Sequence, residues 1–345
     1  MPRFTRLRRE DATAYLSQLE AKTMDEVRWG IIGCGDVTER KSGPAFRKAE
    51  GSRLVAVMRR DAALAVDYAR RHGVPRWYDD ADALIGDPGV NAVYIATPPS
   101  SHGEYVKRAA DAGKPVYCEK PLGITYDESR AAVAYCAERK VPLFVAYYRR
   151  AMEKYRTVAE LLHGGRIGRV RQVHFSMTTE TVVPDENGVL PWRVRADVSG
   201  GGLILDIGSH GLDLLDFFFG PIREVVGFSS HLGGGYEAED TVSGAWLFES
   251  GIHGTGAWCF CADRNEDRIT VIGSAGQLSF SVLDVGGPVE LRSDSGNESM
   301  QFPVPEHVQQ PLIQAVTDEL RGIAKSPSTG ESALRTDWVL ERLRA

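Results

Sequence analysis

From residue 27 to residue 146 short apolar runs alternate with helical stretches, and this rhythm constrains the fold more than any other feature of the chain. The runs 27–32, 53–58, 92–96, 115–118 and 143–146 have the length of strands and end at glycine, proline or polar residues. Helices are expected over 62–72, 101–112 and 126–139. Asp61, Ser101 and Thr125 stand where N-caps belong, and Gly73 and Gly113 where helices stop. Strands separated by helices of this length imply a parallel sheet wound on both faces. The expected class is therefore α/β, opening with a doubly wound sheet of the Rossmann type.

After about residue 150 the rhythm changes. The runs 169–181, 224–231, 241–248, 252–260, 268–272 and 277–282 are β-rich and joined by glycine turns, which reads as a large, mainly antiparallel open sheet. Two helices are expected near 306–325 and 332–343. The chain then divides into an N-terminal extension (1–24), a dinucleotide-binding unit (25–147) and a substrate-binding and oligomerisation unit (148–345). The extension carries Arg3, Arg6, Arg8 and Arg9 without the apolar core of a secretory leader, and its Glu10, Asp11 and Glu20 do not suit a transit peptide. Asp11 is placed to cap a short helix running to Leu19, and Met24 is a plausible true start. An antiparallel sheet with helices on one face leaves the other open. With Val242, Ala245, Leu247, Trp258 and Phe260 expected to supply apolar area there, a homodimer or homotetramer through this sheet is expected.

Composition excludes several classes. With 41 basic and 47 acidic residues the net charge is −6, which offers nothing to a nucleic-acid backbone. No apolar stretch approaches the length that spans a bilayer. Residues 203–219 come nearest and are broken by Asp206, Ser209, His210, Asp213 and Asp216. Cysteines 34, 118, 136, 259 and 261 form no disulfide framework and no metal-ligand spacing, so a cytoplasmic protein without a metal centre is expected.

Three stretches carry chemistry. Gly33-Cys34-Gly35-Asp36-Val37-Thr38 follows the first strand directly. There the first glycine permits a tight turn and the second lets backbone approach a pyrophosphate, which a helix N-terminus attracts. Thr38 occupies the third glycine position, which loosens helix packing, and Pro44 should kink or delay the helix. Arg59 and Arg60 follow the second strand, where an NAD site usually has a carboxylate; guanidinium groups favour NADP with its 2′-phosphate over NAD. The alternative is two solvated arginines, with Asp61 either capping the next helix or binding the ribose. Next, Thr97, Pro98 and His102 follow the third readable strand, and Glu119 and Lys120 the fourth, at the ends where open α/β sheets bind ligands. Lys120 is thereby aimed at the nicotinamide region, and His102 at the same region or at the cap of its helix. Last, a glycine run at 200–202 leads into a helix on which Asp206, His210 and Asp213 share a face by their spacing. An acid and an imidazole so placed suit general acid/base catalysis, the acid setting the imidazole's tautomer or charge. A buried polar helix is the bland alternative.

Together GIIGCGDVT, YIATPPSSH, CEKPL and GGGLILDIGSHGLDLLD resemble, in that order, the glucose–fructose oxidoreductase/inositol dehydrogenase (Gfo/Idh/MocA) family. The resemblance implies a Rossmann domain followed by a mostly antiparallel α/β domain whose open sheet forms the oligomer interface. It implies NAD(P)-dependent hydride transfer between nicotinamide and a secondary alcohol or ketone of a sugar, cyclitol or related polyol. Lys120, Asp206 and His210 match the family's catalytic lysine, aspartate and histidine, and a cis Lys120–Pro121 bond is expected. On this reading Gly33, Gly35, Asp36, Val37, Thr38, Arg59, Arg60, Thr97, Pro98, His102, Glu119 and Lys120 hold the cofactor. His210 is the base, Lys120 stabilises the alkoxide, and Asp206 orients the pair or holds a second hydroxyl. Trp192 and Arg193 cover and grip the polyol, with Tyr148 and its neighbours Tyr147 and Arg149 lining the same cleft or packing a domain junction. Two alternatives belong to other classes: a glycosidase that oxidises its substrate transiently with NAD, and a nucleotide-sensing protein without catalysis.

Overall fold

The computed structural model describes residues 23–294 and 296–345, so the helix expected from Asp11 to Leu19 lies outside the described residues. The first sheet consists of β1 (Val27–Ile32), β2 (Ser52–Met58), β3 (Arg76–Tyr78), β4 (Ala92–Ile95), β5 (Val116–Cys118) and β6 (Leu143–Val145). Its order is β3-β2-β1-β4-β5-β6 and every pair is parallel. The five strands read from the sequence end within a residue of these bounds. The short strand β3 and the helix Ala81–Gly86 were not legible: Arg-Trp-Tyr is only half-buried and makes no apolar run. Both faces of the sheet are covered, which is why β1, β2 and β4 are apolar almost throughout. Strand order reverses between β1 and β4, and the crevice at that switch point opens beyond their carboxyl ends.

Local choices match the expected caps in part. Asp61 accepts from the Leu64 amide and Thr125 from the Glu128 amide, while Gly73 closes its helix with φ +61°. Ser101 does not cap by its side chain. A 3₁₀ turn, Pro99–Ser101, precedes the helix His102–Asp111, and the Ser101 hydroxyl bonds Thr97 Oγ1 and Pro98 O instead. The segment after the glycine loop breaks into Asp36–Arg40 and Ala45–Lys48, with Pro44 at the start of the second piece.

The second sheet is built from β7 (Val170–Glu180), β8 (Ile222–Ser230), β9 (Thr241–Phe248), β10 (His253–Ala262), β11 (Glu266–Gly273), β12 (Gly276–Phe280), β13 (Val289–Ser293) and β14 (Gly296–Met300). Its order is β14-β13-β12-β11-β7-β10-β9-β8, antiparallel except where β7 meets β10. The sequence reading missed β13 and β14, short runs rich in polar residues, and the helix Glu153–His163 that precedes β7. One face packs on the helix Ser209–Phe219 and its neighbours through Phe175, Val242, Trp258, Phe260 and Ile269, all at most 1% exposed. Val242, Trp258 and Phe260 therefore face the core, not the open side expected of them. Strand parity decides this: Val242 lies one residue out of phase with Ala245 and Leu247. On the open face the apolar area comes from Ala245 together with Val226 and Phe228, which are 64% and 71% exposed.

The chain's end ties the two sheets together. The helices Gln310–Leu320 and Gly330–Leu343 follow the second sheet, yet pack against helices of the first. Ser328 donates to the carbonyl of Val145 at 2.7 Å across 183 residues, and Gln309 takes the Tyr117 hydroxyl at 2.9 Å. At the junction Arg150 is buried between Asp213 (2.7 Å) and Asp216 (2.9 Å), the latter also held by Arg335.

Candidate active site

A cleft of about 350 Å³ lies at the carboxyl ends of β1, β4 and β5 and is closed on its far side by the helical segment around Asp206. On the dinucleotide side, Gly33 has φ +88°, and a Cβ there would stand 2.7 Å from Thr97 Cγ2. Only glycine makes that turn without strain. A Cβ on Gly35 would meet nothing nearer than 3.9 Å and would project into open space. Gly35 then starts a helix with no side-chain cap, so backbone N–H groups are left to face an anion. Asp36, Val37, Thr97, Pro98 and Glu119 line the same cleft. This loop fits a dinucleotide.

Not every expected cofactor residue reaches the cleft. Thr38 is buried and turns its hydroxyl back to Gly35 O at 2.7 Å, while its carbonyl receives the Tyr68 hydroxyl at 2.8 Å. It staples the loop to the next helix. His102 is also fully buried: its two ring nitrogens lie 2.8 Å from the carbonyl oxygens of Thr97 and Pro121. It ties the loop after β4 to the loop after β5 rather than lining the cleft. Arg59 and Arg60 are exposed at the end of β2, and Arg59 Nη1 reaches Cys34 O at 3.3 Å, which puts its guanidinium at the edge of the glycine loop. Asp61 is engaged in its cap.

On the chemical side, Lys120 follows β5 through a cis Lys120–Pro121 bond and meets Asp206 Oδ1 at 2.6 Å. Arg193 reaches Asp206 Oδ2 at 3.0 Å and stacks on Trp192, its guanidinium carbon 4.7 Å from the ring centroid. Burial raises the proton affinity of the Asp206 carboxyl, but Lys120 and Arg193 outweigh it and hold Asp206 below the usual carboxylate range. His210 is 5% exposed, edge-on to Tyr147 and Tyr148 at 5.9 and 5.3 Å, with Nδ1 buried and unpartnered among the described residues. Burial, then the charges of Arg149, Lys120 and Lys41, push its pKa well below the ordinary imidazole value.

Of the three residues expected on one face, Asp206 and His210 both line the cleft and Asp213 does not. Ile204–Gly208 winds as a π-helical turn before the α-helix begins at Ser209. Asp206 binds Lys120 rather than His210, and Asp213 points away into the ion pair with Arg150. Among the described residues no acid orients the imidazole. Two further groups were not read from the sequence. Gln309 donates to Glu119 Oε1 at 2.6 Å, where the Tyr94 hydroxyl also binds at 2.6 Å, and Lys41 lines the mouth. Neither sits in a motif, and Gln309 arrives from the far end of the chain.

Among known proteins, the profile of an oxidoreductase family with an NAD-binding Rossmann fold matches residues 27–147, and that of a GFO/IDH/MocA C-terminal domain matches residues 155–279. An "Oxidoreductase P35" of Formosa agariphila is 38% identical over 91% of this chain and 97% of its own length. The chain belongs to the Gfo/Idh/MocA oxidoreductase family. As a member of that family it is an NAD(P)-binding oxidoreductase. A Gfo/Idh/MocA relative from Ensifer adhaerens, named 1,5-anhydro-D-fructose reductase, is 30% identical over 91% of this chain and 93% of its own. The fold also superposes on a levoglucosan dehydrogenase solved with NADH and levoglucosan, with a TM-score of 0.81 at 20% identity, covering 92% of this chain and 97% of that one. Among the described residues no group of acids, histidines or cysteines could hold a metal ion, and no helix is long and apolar enough to cross a membrane.

Proposed function

We propose that this enzyme interconverts a secondary alcohol and a ketone on a sugar, cyclitol or related polyol, and that it prefers NADP to NAD. The observation that carries the reaction is the convergence of Lys120, Asp206 and His210 on one cleft with the glycine loop. Relatives named as sugar-derivative reductases and dehydrogenases support the substrate class. The nicotinamide, when bound, supplies hydride acceptance and donation. Gly33, Gly35, Asp36, Val37, Thr97, Pro98 and Glu119 would hold the dinucleotide, and Arg59, with Arg60 beside it, would meet a 2′-phosphate.

The protein's own groups manage the proton. Lys120, fixed by Asp206, places an ammonium where alkoxide charge develops. His210 is uncharged and takes the alcohol proton as that charge appears, or returns it in the other direction. Burial, and after it the surrounding cations, make it a weaker base than free imidazole, so proton transfer leans on Lys120 stabilising the alkoxide. Arg193 and Trp192 cover the entrance and offer a ring face and a guanidinium to a polyol. Assembly as a homo-oligomer through the open face of the second sheet and a cytoplasmic site of action complete the proposal. They are supported by the exposed Val226 and Phe228 and by five unbridged cysteines.

The test is a panel of sugars, cyclitols and polyols assayed with NADP and NAD, in both directions, by absorbance at the reduced nicotinamide band. Turnover is expected with at least one polyol or its ketone. No turnover of any member, by folded protein that binds the dinucleotide, would end this reading.

A further inference from the structure

Arg149 stands out by contrast with its neighbour. Both Arg149 and Arg150 follow β6 and are at least 95% buried. Arg150 is neutralised by Asp213 and Asp216. Arg149 pairs with no carboxylate among the described residues; its Nε donates to Val282 O at 2.9 Å, its side chain also meets the neutral Tyr155 hydroxyl, its guanidinium lies 4.8 Å from the Tyr148 ring centroid, and Nη1 is buried without a hydrogen bond of good geometry. A buried guanidinium without a counter-ion is costly unless something else brings the charge.

What could bring it must enter the cleft, because Arg149 is part of the cleft wall with Lys120, Tyr148 and His210. The acids already there are committed: Asp206 to Lys120 and Arg193, Glu119 to Tyr94 and Gln309. Asp36 is exposed, beside the glycine loop. The dinucleotide phosphates are too far off. β6 is three strands from β1, and with neighbouring strands ~4.8 Å apart that places Arg149 roughly 14 Å along the sheet from the pyrophosphate loop. Arg59, proposed to meet a 2′-phosphate, is one strand farther away.

We infer that the substrate carries a carboxylate and that Arg149 holds it, so that the enzyme acts on a sugar acid or polyhydroxy acid rather than on a neutral polyol. The inference rests on the oxidoreductase reading of the cleft. A planar guanidinium matches a carboxylate in shape and charge, whereas a hydroxyl would leave the charge uncompensated. It also accounts for His210. Arg149 is the first of the charges that depress its proton affinity, and a bound carboxylate beside Arg149 restores that affinity when the alcohol proton must be taken.

The test is titration calorimetry on the protein saturated with NADP or NAD, using matched pairs: D-gluconate against D-sorbitol, D-glucuronate against D-glucose, and their galacto-configured counterparts. In at least one pair the acid should bind ~10-fold or more tightly than its neutral partner. Arg149→Gln should bring that ratio near one, and Arg149→Lys should keep part of it, with dinucleotide affinity reporting that the variants are folded. Should Arg149→Gln fail to fold, the wild-type ratio and Arg149→Lys still decide. Acids that bind no tighter than their partners in every pair overturn the inference, as does a ratio that survives Arg149→Gln. Nicotinamide absorbance over the same panel separates the two readings. Turnover confined to neutral members ends the carboxylate site and leaves the oxidoreductase reading standing. Arg149-dependent acid binding without hydride transfer in either direction does the reverse.

Discussion

Lys120 has two oxygens of one residue within reach, Asp206 Oδ1 at 2.6 Å and the Asp206 carbonyl at 2.5 Å, so its ammonium is fixed before any substrate arrives. Lys120→Met should leave dinucleotide affinity intact and lower turnover by at least ~10²-fold, the usual scale for losing an electrostatic stabiliser or proton partner. Titration calorimetry and steady-state rates on the folded variant check both halves, and unchanged turnover would remove Lys120 from the reaction. For His210 the sign runs from burial. A pKa pushed below 6.5 leaves the ring neutral, hence able to accept a proton, as pH falls through 6.5. The oxidation rate kcat/KM should therefore stay level through that region and fall only at lower pH. A limb centred near 6.5 would mean that His210 titrates as a free imidazole. Lys120, Asp206 and His210 were legible in the sequence because each follows a strand end or a glycine run. Which acid meets which base was not. Asp206 and His210 line one cleft as their spacing implies, but the acid is taken by Lys120 and Arg193, which arrive from other elements.

Elements show the same division. The doubly wound sheet was readable because buried parallel strands are continuous apolar runs between capped helices. β3, β13 and β14 were not, since they are short and carry no apolar run; β13 buries only alternate residues, Val289 and Leu291. Close approaches between elements leave a trace only as glycine. Gly211 on the helix Ser209–Phe219 is an example: a Cβ there would stand 2.2 Å from the Phe175 ring of β7. Gly211→Ala should destabilise the protein by about 1–3 kcal/mol, because ring and helix must part; the shift in urea midpoint measures it, and no shift would show that Phe175 can yield. The turn after β2 is where the proposed preference for NADP would be set. With Arg59 against the glycine loop, NADP should bind roughly 10- to 150-fold more tightly than NAD, the worth of one charge-assisted pair. Arg59→Asp should reverse the preference. Equal dissociation constants in the wild type would mean that Arg59 and Arg60 are only solvated.

At the scale of the whole molecule, stability has a pH signature in the last helix. The Asp337 carboxyl is buried with only the Ser129 hydroxyl beside it, and burial pushes it up to about 7. The folded state therefore holds that proton more tightly than the unfolded chain. The contribution is full below about pH 4 and is lost as pH rises toward 7, where the buried carboxyl must ionise. Asp337→Asn removes the ionisation, and its advantage over wild type should be on the order of 2 kcal/mol larger at pH 8 than at pH 5. Urea midpoints at the two pH values test this; a pH-independent difference would show that the carboxyl is not held neutral. The open face of the second sheet is the proposed site of assembly. Light scattering should return a multiple of the chain mass at micromolar concentration, and Phe228→Lys should lower it. A monomer mass for the wild type would leave Val226 and Phe228 without the partner proposed for them.

The bond from Ser328 to the Val145 carbonyl, and that from Gln309 to Glu119, have a meaning during synthesis. Val145 leaves the peptidyl-transferase centre 183 residues before Ser328, an interval of roughly 10–40 s at ordinary translation rates. Throughout it the Rossmann sheet has every strand in hand but lacks the groups that seal its far edge and fix its glutamate. The first sheet is thus completed last, by the chain's end, and a ribosome stalled anywhere before Gln309 releases a polypeptide able to begin the cleft but not to finish it.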